Sequence, residues 1–298
     1  MNIVHVGFPK TATTFLQKEV FPYFQDVNFV GYRRCEKVFF DMIFLDDLDY
    51  NEADIRTKFD LLANADCNLF SFESLAGAPF IYKGLGRSGI PNRLKSLGVD
   101  KVIITIRDQV EMFDSLYRQY VIQGGVMRFK DFINVDRKWN IYVRAFNPDY
   151  LKYDGLIDKY LEVFGGKNVL ILRQEDLKVD EKGFIERIEE VIGKKSNEGA
   201  IEKSKNKANR SLSNLAISIL RIVNHFIFTS QKPNNLVSNH LSTRNVSRVF
   251  IAILEPFLFR FISSKRSFVK KEYENYIRDY YSESNLKTDS ILRQIKES

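Results

Sequence analysis

The feature that most constrains this chain is its first stretch, MNIVHVGFPKTATTFLQ, which covers residues 1–17. Residues 3–6 are mostly apolar and β-branched and predict a short buried strand, which Gly7 and Pro9 interrupt. From Phe15 onward the spacing of apolar residues is helical. A strand, a tight loop and a helix in this order direct the loop amides and the helix N-terminus toward one point, where an anion is favoured.

The loop itself supplies one cation and several hydroxyls. Lys10 adds a full positive charge, and Thr11, Thr13 and Thr14 add neutral donors. An ATP-binding P-loop reads G-x-x-x-x-G-K-[ST], but here the lysine comes three residues after Gly7 and this loop has no Gly-Lys pair. The pattern therefore predicts an anion site unlike a regular ATP-binding loop. The alternative is a strand–turn–helix corner with a solvated lysine.

The segment Pro-Lys-Thr-Ala-Thr-Thr-Phe-Leu, residues 9–16, resembles the 5′-phosphosulfate loop of the sulfotransferases, Pro-Lys-[Ser/Thr]-Gly-[Thr/Ser]-[Thr/Ser]-x-Leu. Those enzymes transfer a sulfuryl group from 3′-phosphoadenosine 5′-phosphosulfate (PAPS) and release 3′,5′-diphosphoadenosine. The resemblance implies that the donor is bound by Pro9, Lys10, Thr11, Ala12, Thr13 and Thr14. Ala12 replaces the glycine of the family pattern, and this departure predicts a negative φ at that position.

A second candidate site follows the strongest predicted strand, residues 101–106, whose Val-Ile-Ile-Thr-Ile run indicates a fully buried, parallel strand. Arg107 ends this strand, and seven residues separate it from Ser115. An arginine fork with a hydroxyl suits a phosphate monoester. This Arg-x7-Ser spacing resembles the second sulfotransferase signature, which implies that the pair binds the 3′-phosphate of PAPS. The alternative is a surface arginine and an exposed helical serine.

Glu73 is the candidate general base. It comes just past a predicted strand over residues 68–71, in the mostly apolar run 70–75. Partial desolvation there is expected to raise its pKa, which suits removal of a proton from a hydroxyl or amine. In the glycan sulfotransferases that this loop order resembles, a glutamate has that role, and Glu73 is the matching position. The alternatives are a solvated loop glutamate or an ion-pair partner of Lys83 or Arg87.

Two further resemblances lie later in the chain. Residues 153–177, which read as a helix, a strand and an acidic turn, are similar to the back half of the sulfotransferase domain. The basic segment 205–213 is similar to the late loop of the family near the nucleotide. That resemblance implies donor contacts for Asn209 and Arg210, and a solvated loop is the alternative.

Strands that alternate with helices predict the α/β class, as a three-layer, doubly wound, mainly parallel sheet of the P-loop-NTPase-like type. We expect a sulfotransferase α/β domain over residues 1–210 and a helical C-terminal extension over 211–298. Within the extension, the apolar segments 215–228 and 249–262 are flanked by Arg and Lys. They are either core helices or a face for peripheral membrane contact. A charged helix is expected over about 268–281.

Composition narrows the classes of partner. A net charge of +7 suits an anionic ligand, nucleic acid or an acidic membrane, but the sequence has no nucleic-acid module. Cys35 and Cys67 form neither a metal spacing nor a disulfide framework, so we predict no metal and a reducing compartment. With no signal peptide and no run of 18 uncharged apolar residues, a cytoplasmic location is expected, with the inner membrane face as a peripheral alternative.

The sequence therefore predicts a PAPS-dependent sulfotransferase that sulfates a hydroxyl or amine, with a saccharide or glycan as the expected acceptor. Lys10 would stabilise the leaving oxygen, and Glu73 would remove the acceptor proton. One alternative is a P-loop-type kinase that acts on a small molecule with ATP and Mg²⁺, for which Asp108 is the candidate metal ligand. Another is a catalytically inactive nucleotide- or glycan-binding protein of the same fold.

Overall fold

The computed structural model describes residues 1–80, 84, 86–134, 147–197, 199, 212–226 and 267–297. The chain divides into two compact units. The first comprises Met1–Asp108, Asp149–Lys207 and Tyr281–Ser298, and the second comprises Gln109–Pro148 and Ala208–Tyr280. The boundary that the sequence suggests between residues 210 and 211 stays a prediction.

The first unit is built on a five-stranded sheet whose strand pairs are all parallel within the described residues. The strands are β1 (Asn2–Gly7), β2 (Asn28–Val30), β3 (Asn68–Ser71), β4 (Lys101–Ile106) and β5 (Val169–Arg173). Their order is β2-β3-β1-β4-β5, so β1 is central and pairs with β3 and β4. The predicted parallel α/β sheet is confirmed.

Helices connect the strands and continue the chain beyond them. In chain order they are α1 (Thr13–Phe15), α2 (Tyr32–Phe44), α3 (Glu52–Asp60), α4 (Ile90–Ser96), α5 (Gln109–Ile122), α6 (Phe129–Phe132), α7 (Asp154–Phe164), α8 (Gln174–Val179), α9 (Glu181–Ile192), α10 (Asn214–Val223) and α11 (Lys271–Glu297). After α1 the chain continues as a π-helical turn over Leu16–Val20. Side-chain caps start three of these described helices: Asn51 accepts a hydrogen bond from the Asp54 N–H, Asp180 accepts one from the Gly183 N–H, and Ser213 accepts one from the Ala216 N–H.

Both faces of the sheet are covered, because side chains alternate along each strand. On one face, Ile3 and Ile103 pack with Phe184 and Ile188 of α9 in a buried cluster. On the other face, the Phe70 ring lies against Phe59 and Phe39, with ring centroids 4.6 and 6.0 Å away. Burial on both faces explains why the strand sequences are nearly continuous apolar runs.

The second unit contains α5, α6, α10 and the first part of α11. Arg118 donates to the Leu212 carbonyl at 2.8 Å and forms an ion pair with Asp114 at 2.8 Å. Asn224 donates to the carbonyl oxygens of Val121 and Gly125 at 2.7 and 3.0 Å. These bonds tie α10 to α5 and to the turn that follows it.

The predicted apolar segment 215–228 is helical as α10 only up to Val223, with Ala216, Ile217 and Leu220 buried. Those side chains are therefore part of the core. The segment 249–262 lies outside the described residues. Within the described part of the chain, no helix is long and apolar enough to cross a membrane.

The last helix, α11, extends well beyond the predicted range 268–281 and ends at Glu297. Ser284 and Thr288 look unfavourable in a helix, but both are buried and bonded. Ser284 donates to an Asp154 carboxylate oxygen, and Thr288 donates to the Ser284 carbonyl at 2.8 Å. Asp289 also pairs with Arg173. Tertiary contacts in the first unit therefore override the weak local propensity.

Candidate functional site

The loop after β1 passes very close to the turn that carries Glu73. Gly7 has a φ of +91°, and a Cβ atom built there would lie 2.7 Å from the Glu73 carbonyl oxygen and 2.9 Å from its Cα. Any side chain at position 7 would push the two segments apart. Glycine at this position therefore allows the ends of β1 and β3 to meet.

Two residues of the loop have left-handed backbone, Lys10 with a φ of +68° and Ala12 with a φ of +65°. The prediction of a negative φ at Ala12 is wrong. Ala12 is the N-cap residue of α1, and the turn into that helix requires the left-handed conformation that the glycine of the family pattern adopts freely. For alanine this conformation costs about 1–2 kcal/mol.

The hydroxyls of the three loop threonines have different environments. Thr11 is fully buried, and its hydroxyl donates to the Phe8 carbonyl at 2.5 Å, so the expectation that this side chain offers a donor to an anion is wrong. Thr13 is also buried, and its hydroxyl donates to Glu73 Oε2. Thr14 is exposed, and Pro9 is buried at the start of the loop.

Glu73 opens a 3₁₀ turn, Glu73–Ala76, two residues after the end of β3, and it is half-buried. Of the predicted alternative partners, Arg87 instead donates to the Tyr150 carbonyl at 2.7 Å and stacks over the Tyr150 ring at 4.8 Å. Lys83 lies outside the described residues. The hydrogen bond from Thr13 thus joins Glu73 directly to the loop.

Lys10 lies within electrostatic range of both other charged candidates. Desolvation by neighbouring atoms is the largest cause that lowers its pKa, the Glu73 carboxylate raises this pKa, and Arg107 lowers it. The residue as a whole is nevertheless exposed. Because water still reaches the side chain, we expect Lys10 to remain a cation at neutral pH.

Arg107 ties the turn after β4 to the loop after β1. Its Nη1 donates to the Lys10 carbonyl at 3.1 Å, and its own carbonyl accepts from the Tyr153 hydroxyl at 2.8 Å. The adjacent Asp108 N–H donates to Glu175 Oε1 at 3.0 Å. The structure therefore brings together Lys10, Glu73, Thr13 and Arg107, which come from three separate segments of the chain.

The roles of the remaining predicted site residues stay predictions. Ser115 is half-buried in α5, which belongs to the second unit, and its role beside Arg107 stays a prediction. Asn209 and Arg210 lie outside the described residues.

Sequence reasoning missed the aromatic residues beneath the loop. The Phe8 ring contacts the Tyr150 and Tyr153 rings edge to face, with centroids 5.3 and 4.8 Å away. The Tyr150 hydroxyl donates to the Gly77 carbonyl at 2.7 Å. The signal that the sequence offered was Phe8, an aromatic residue directly before the loop motif.

The chain is similar to sulfotransferases in sequence pattern and in fold. A family model described as "Sulfotransferase domain" matches residues 2–252. The solved sulfotransferase from Alicyclobacillus acidocaldarius is similar in fold, with a TM-score of 0.57 and 12% identity over 98% of this chain and 95% of that chain. Mouse sulfotransferase SULT7A1, solved in complex with PAP, gives a TM-score of 0.49 and 14% identity over 99% and 88% of the two chains. No curated protein matches this chain. Because the family model covers most of its length, the chain belongs to the sulfotransferase family.

Proposed function

We propose that the protein transfers a sulfuryl group from PAPS to a hydroxyl or amine of a saccharide or glycan. The observation that carries the proposal is the hydrogen bond from Arg107 to the Lys10 carbonyl, at 3.1 Å. It joins the two turns that the resemblance assigns to the two phosphate groups of one donor. The carboxylate of Glu73, bonded to Thr13, lies against the same loop.

The loop has the features that binding of the donor requires. Ala12 caps α1 without a side-chain hydrogen bond, so the first amides of the helix are not satisfied by a capping group. The amides of residues 10–14, with the Thr14 hydroxyl, would hold the 5′-phosphosulfate, while the Thr13 hydroxyl keeps its hydrogen bond to Glu73 Oε2. Arg107 and Ser115 would hold the 3′-phosphate.

Each charged residue has one task in the reaction. Glu73 would accept the proton of the acceptor hydroxyl or amine as that atom forms its bond to sulfur. The Thr13 hydrogen bond occupies Oε2, so Oε1 would take the proton. Lys10 would stabilise the negative charge on the bridging oxygen as its bond to sulfur breaks. This scheme requires no metal.

The acceptor class and the location are the least constrained parts of the proposal. A carboxylate base in the glycan-sulfotransferase position favours a saccharide. We also propose a cytoplasmic protein that contacts the inner membrane face. Ile222 and Phe226, which are 52% and 57% exposed at the end of α10 and just beyond it, are apolar side chains that a membrane surface would cover. Sedimentation with anionic vesicles tests this contact, and a protein that stays in the supernatant contradicts it.

The experiment that tests the function is transfer of labelled sulfate from PAPS to a panel of sugars, some with free amines. We expect labelled sulfate in at least one saccharide, and no labelled phosphate in any acceptor when ATP labelled in its terminal phosphate is supplied with Mg²⁺ in place of PAPS. Phosphorylation of an acceptor with ATP would favour the kinase alternative. Tight binding of 3′,5′-diphosphoadenosine without transfer to any acceptor would favour the inactive binding protein.

A further inference from the structure

A row of buried polar side chains lies beneath the loop that follows β1. His5 of β1, Ser71 of β3 and Thr105 of β4 are all fully buried. His5 Nδ1 lies 2.8 Å from Ser71 Oγ, and His5 Nε2 lies 3.1 Å from Thr105 Oγ1. An unpaired polar group at this depth would cost free energy, so these contacts explain how an otherwise apolar strand accommodates a histidine.

The row continues from Thr105 into the loop. Thr105 Oγ1 lies 2.5 Å from Thr11 Oγ1, and the single Thr11 hydroxyl proton is donated to the Phe8 carbonyl at 2.5 Å. Thr11 Oγ1 must therefore accept its second hydrogen bond from Thr105, which uses the single Thr105 proton. Thr105 can then only accept from His5, and this places the imidazole proton on Nε2.

The opposite end of the row gives the same assignment. Gln17 Nε2 donates to Ser71 Oγ at 3.0 Å, so the Ser71 hydroxyl proton is available for His5 Nδ1. A neutral imidazole with its proton on Nε2 accepts at Nδ1. The hydrogen bonds therefore run in one direction, from the Gln17 amide to the Phe8 carbonyl.

We propose that His5 is a positioning residue for the catalytic lysine: through Thr105 and Thr11 it fixes the turn of residues 8–11 that carries Lys10. This inference rests on the proposed function, in which Lys10 stabilises the leaving oxygen. Thr105 holds the turn at two points, because its carbonyl accepts from the Phe8 N–H at 2.6 Å and its hydroxyl donates to Thr11. Burial lowers the pKa of His5 to about 3, so the ring remains neutral near pH 7 and keeps this pattern of donors.

Lys10 depends on this support. Its φ of +68° is one that a lysine adopts only where the surrounding structure holds it. Its carbonyl also accepts from Arg107 at 3.1 Å, so a shift of the turn would disturb both charged side chains. A displacement of about 1 Å at a reacting group lowers a rate about 100-fold.

Thr105→Val tests the proposal, because valine keeps the shape of threonine and removes its hydroxyl. The matched control is Asn68→Leu, since Asn68 is a buried polar residue at the amino end of β3, bonded to Asn2 at 3.0 Å. We expect Thr105→Val to lower kcat about tenfold or more, with a smaller rise in KM for PAPS. Asn68→Leu should lose stability and keep kcat. Equal kcat values in the two variants would overturn the proposal.

A pair of variants at His5 separates hydrogen bonding from packing. Glutamine offers one donor and one acceptor, as the neutral imidazole does, whereas leucine offers neither. His5→Gln should therefore recover most of the kcat that His5→Leu loses. Equal losses in both variants would mean that only the packing of the ring matters.

Magnetic resonance tests the positioning role without any assay of transfer. The nitrogen shifts of His5 should show a protonated Nε2, and the Lys10 and Thr11 amide signals should move in Thr105→Val but not in Asn68→Leu. A protonated Nδ1, or loop amides that do not move, would overturn the proposal. Loop amides that move as expected in a protein that transfers no sulfate would count against the proposed function alone.

Discussion

At the scale of single residues, Lys10, Glu73 and Thr13 lie close together in the candidate site. Thr13 donates to Glu73 Oε2, and the Glu73 carboxylate raises the pKa of Lys10 against the lowering effect of desolvation. A carboxylate and an ammonium held side by side suit a reaction in which one group removes a proton and the other stabilises negative charge.

Replacement of the lysine tests its role as the stabiliser of the leaving oxygen. We expect Lys10→Ala to lower kcat about 10²–10³-fold, as for the loss of one donor in a transition state. Steady-state kinetics with PAPS measure this, and Lys18→Ala is the control, since Lys18 is an exposed lysine in the following turn and the change in net charge is the same. A kcat for Lys10→Ala close to that of Lys18→Ala contradicts the role.

Replacement of the glutamate tests the proton transfer. Glu73→Gln keeps the size of the side chain and an oxygen for the Thr13 hydrogen bond but removes the base, so we expect kcat to fall about 10²–10⁴-fold. Glu52→Gln, on the exposed start of α3, is the control. If both variants turn over alike, Glu73 is not the base.

Replacement of Ala12 is predicted to increase the stability of the folded protein. Because the φ of Ala12 is +65°, Ala12→Gly removes the strain of a left-handed alanine. Glycine also gains entropy in the unfolded chain, which offsets part of this gain. The net result should be a rise of about 0.5–1 kcal/mol in the free energy of unfolding. Ala53→Gly, at an exposed helical position in α3, should lower it by about 1 kcal/mol. Urea unfolding measures both values, and a loss of stability at position 12 would contradict the left-handed assignment.

At the scale of elements, apolar patterning predicts the strands well, because β1, β3 and β4 are buried on both faces. The predicted range 101–106 is the observed β4, and residues 68–71 are β3. Contacts between distant segments are what the sequence does not reveal. The length of α11 depends on the bond from Ser284 to Asp154, and the place of Arg107 depends on Tyr153. The alanine side chain predicts a negative φ at position 12, but the turn into α1 imposes a positive one.

His5 of β1 contacts Ser71 of β3 and Thr105 of β4, and its burial predicts how the stability of the protein depends on pH. The pKa of His5 is about 3 in the folded protein against 6.5 for an ordinary histidine, and its contacts Ser71, Thr105 and the Phe21 ring are uncharged. The unfolded chain therefore takes up a proton below about pH 6.5 that the folded chain does not. The stability from this group is complete above that pH and is lost as the pH falls toward about 3.

Urea unfolding as a function of pH measures this loss. Between about pH 6 and 4 the wild type should lose up to about 1.4 kcal/mol per pH unit more than His5→Gln, because glutamine does not titrate. Equal slopes for the two proteins would mean that His5 is protonated in the folded state.

At the scale of the whole molecule, the net charge of +7 suits a small ligand that carries negative charge at both ends. The central claim is that the turns of Lys10 and Arg107 bind opposite ends of one nucleotide. Arg107 Nη1 lies 3.1 Å from the Lys10 carbonyl oxygen, so the two turns are close enough for one ligand to reach both. A kinase would instead recognise the terminal phosphate of ATP through Mg²⁺.

Calorimetric titration with 3′,5′-diphosphoadenosine and with adenosine 5′-monophosphate, which lacks the 3′-phosphate, tests this claim most directly. The wild type should bind the diphosphate at least about tenfold more tightly, as expected for one charge-assisted pair, and Arg107→Ala should lose that preference. Equal affinity for the two nucleotides in the wild type, or a preference that survives in Arg107→Ala, would contradict the account.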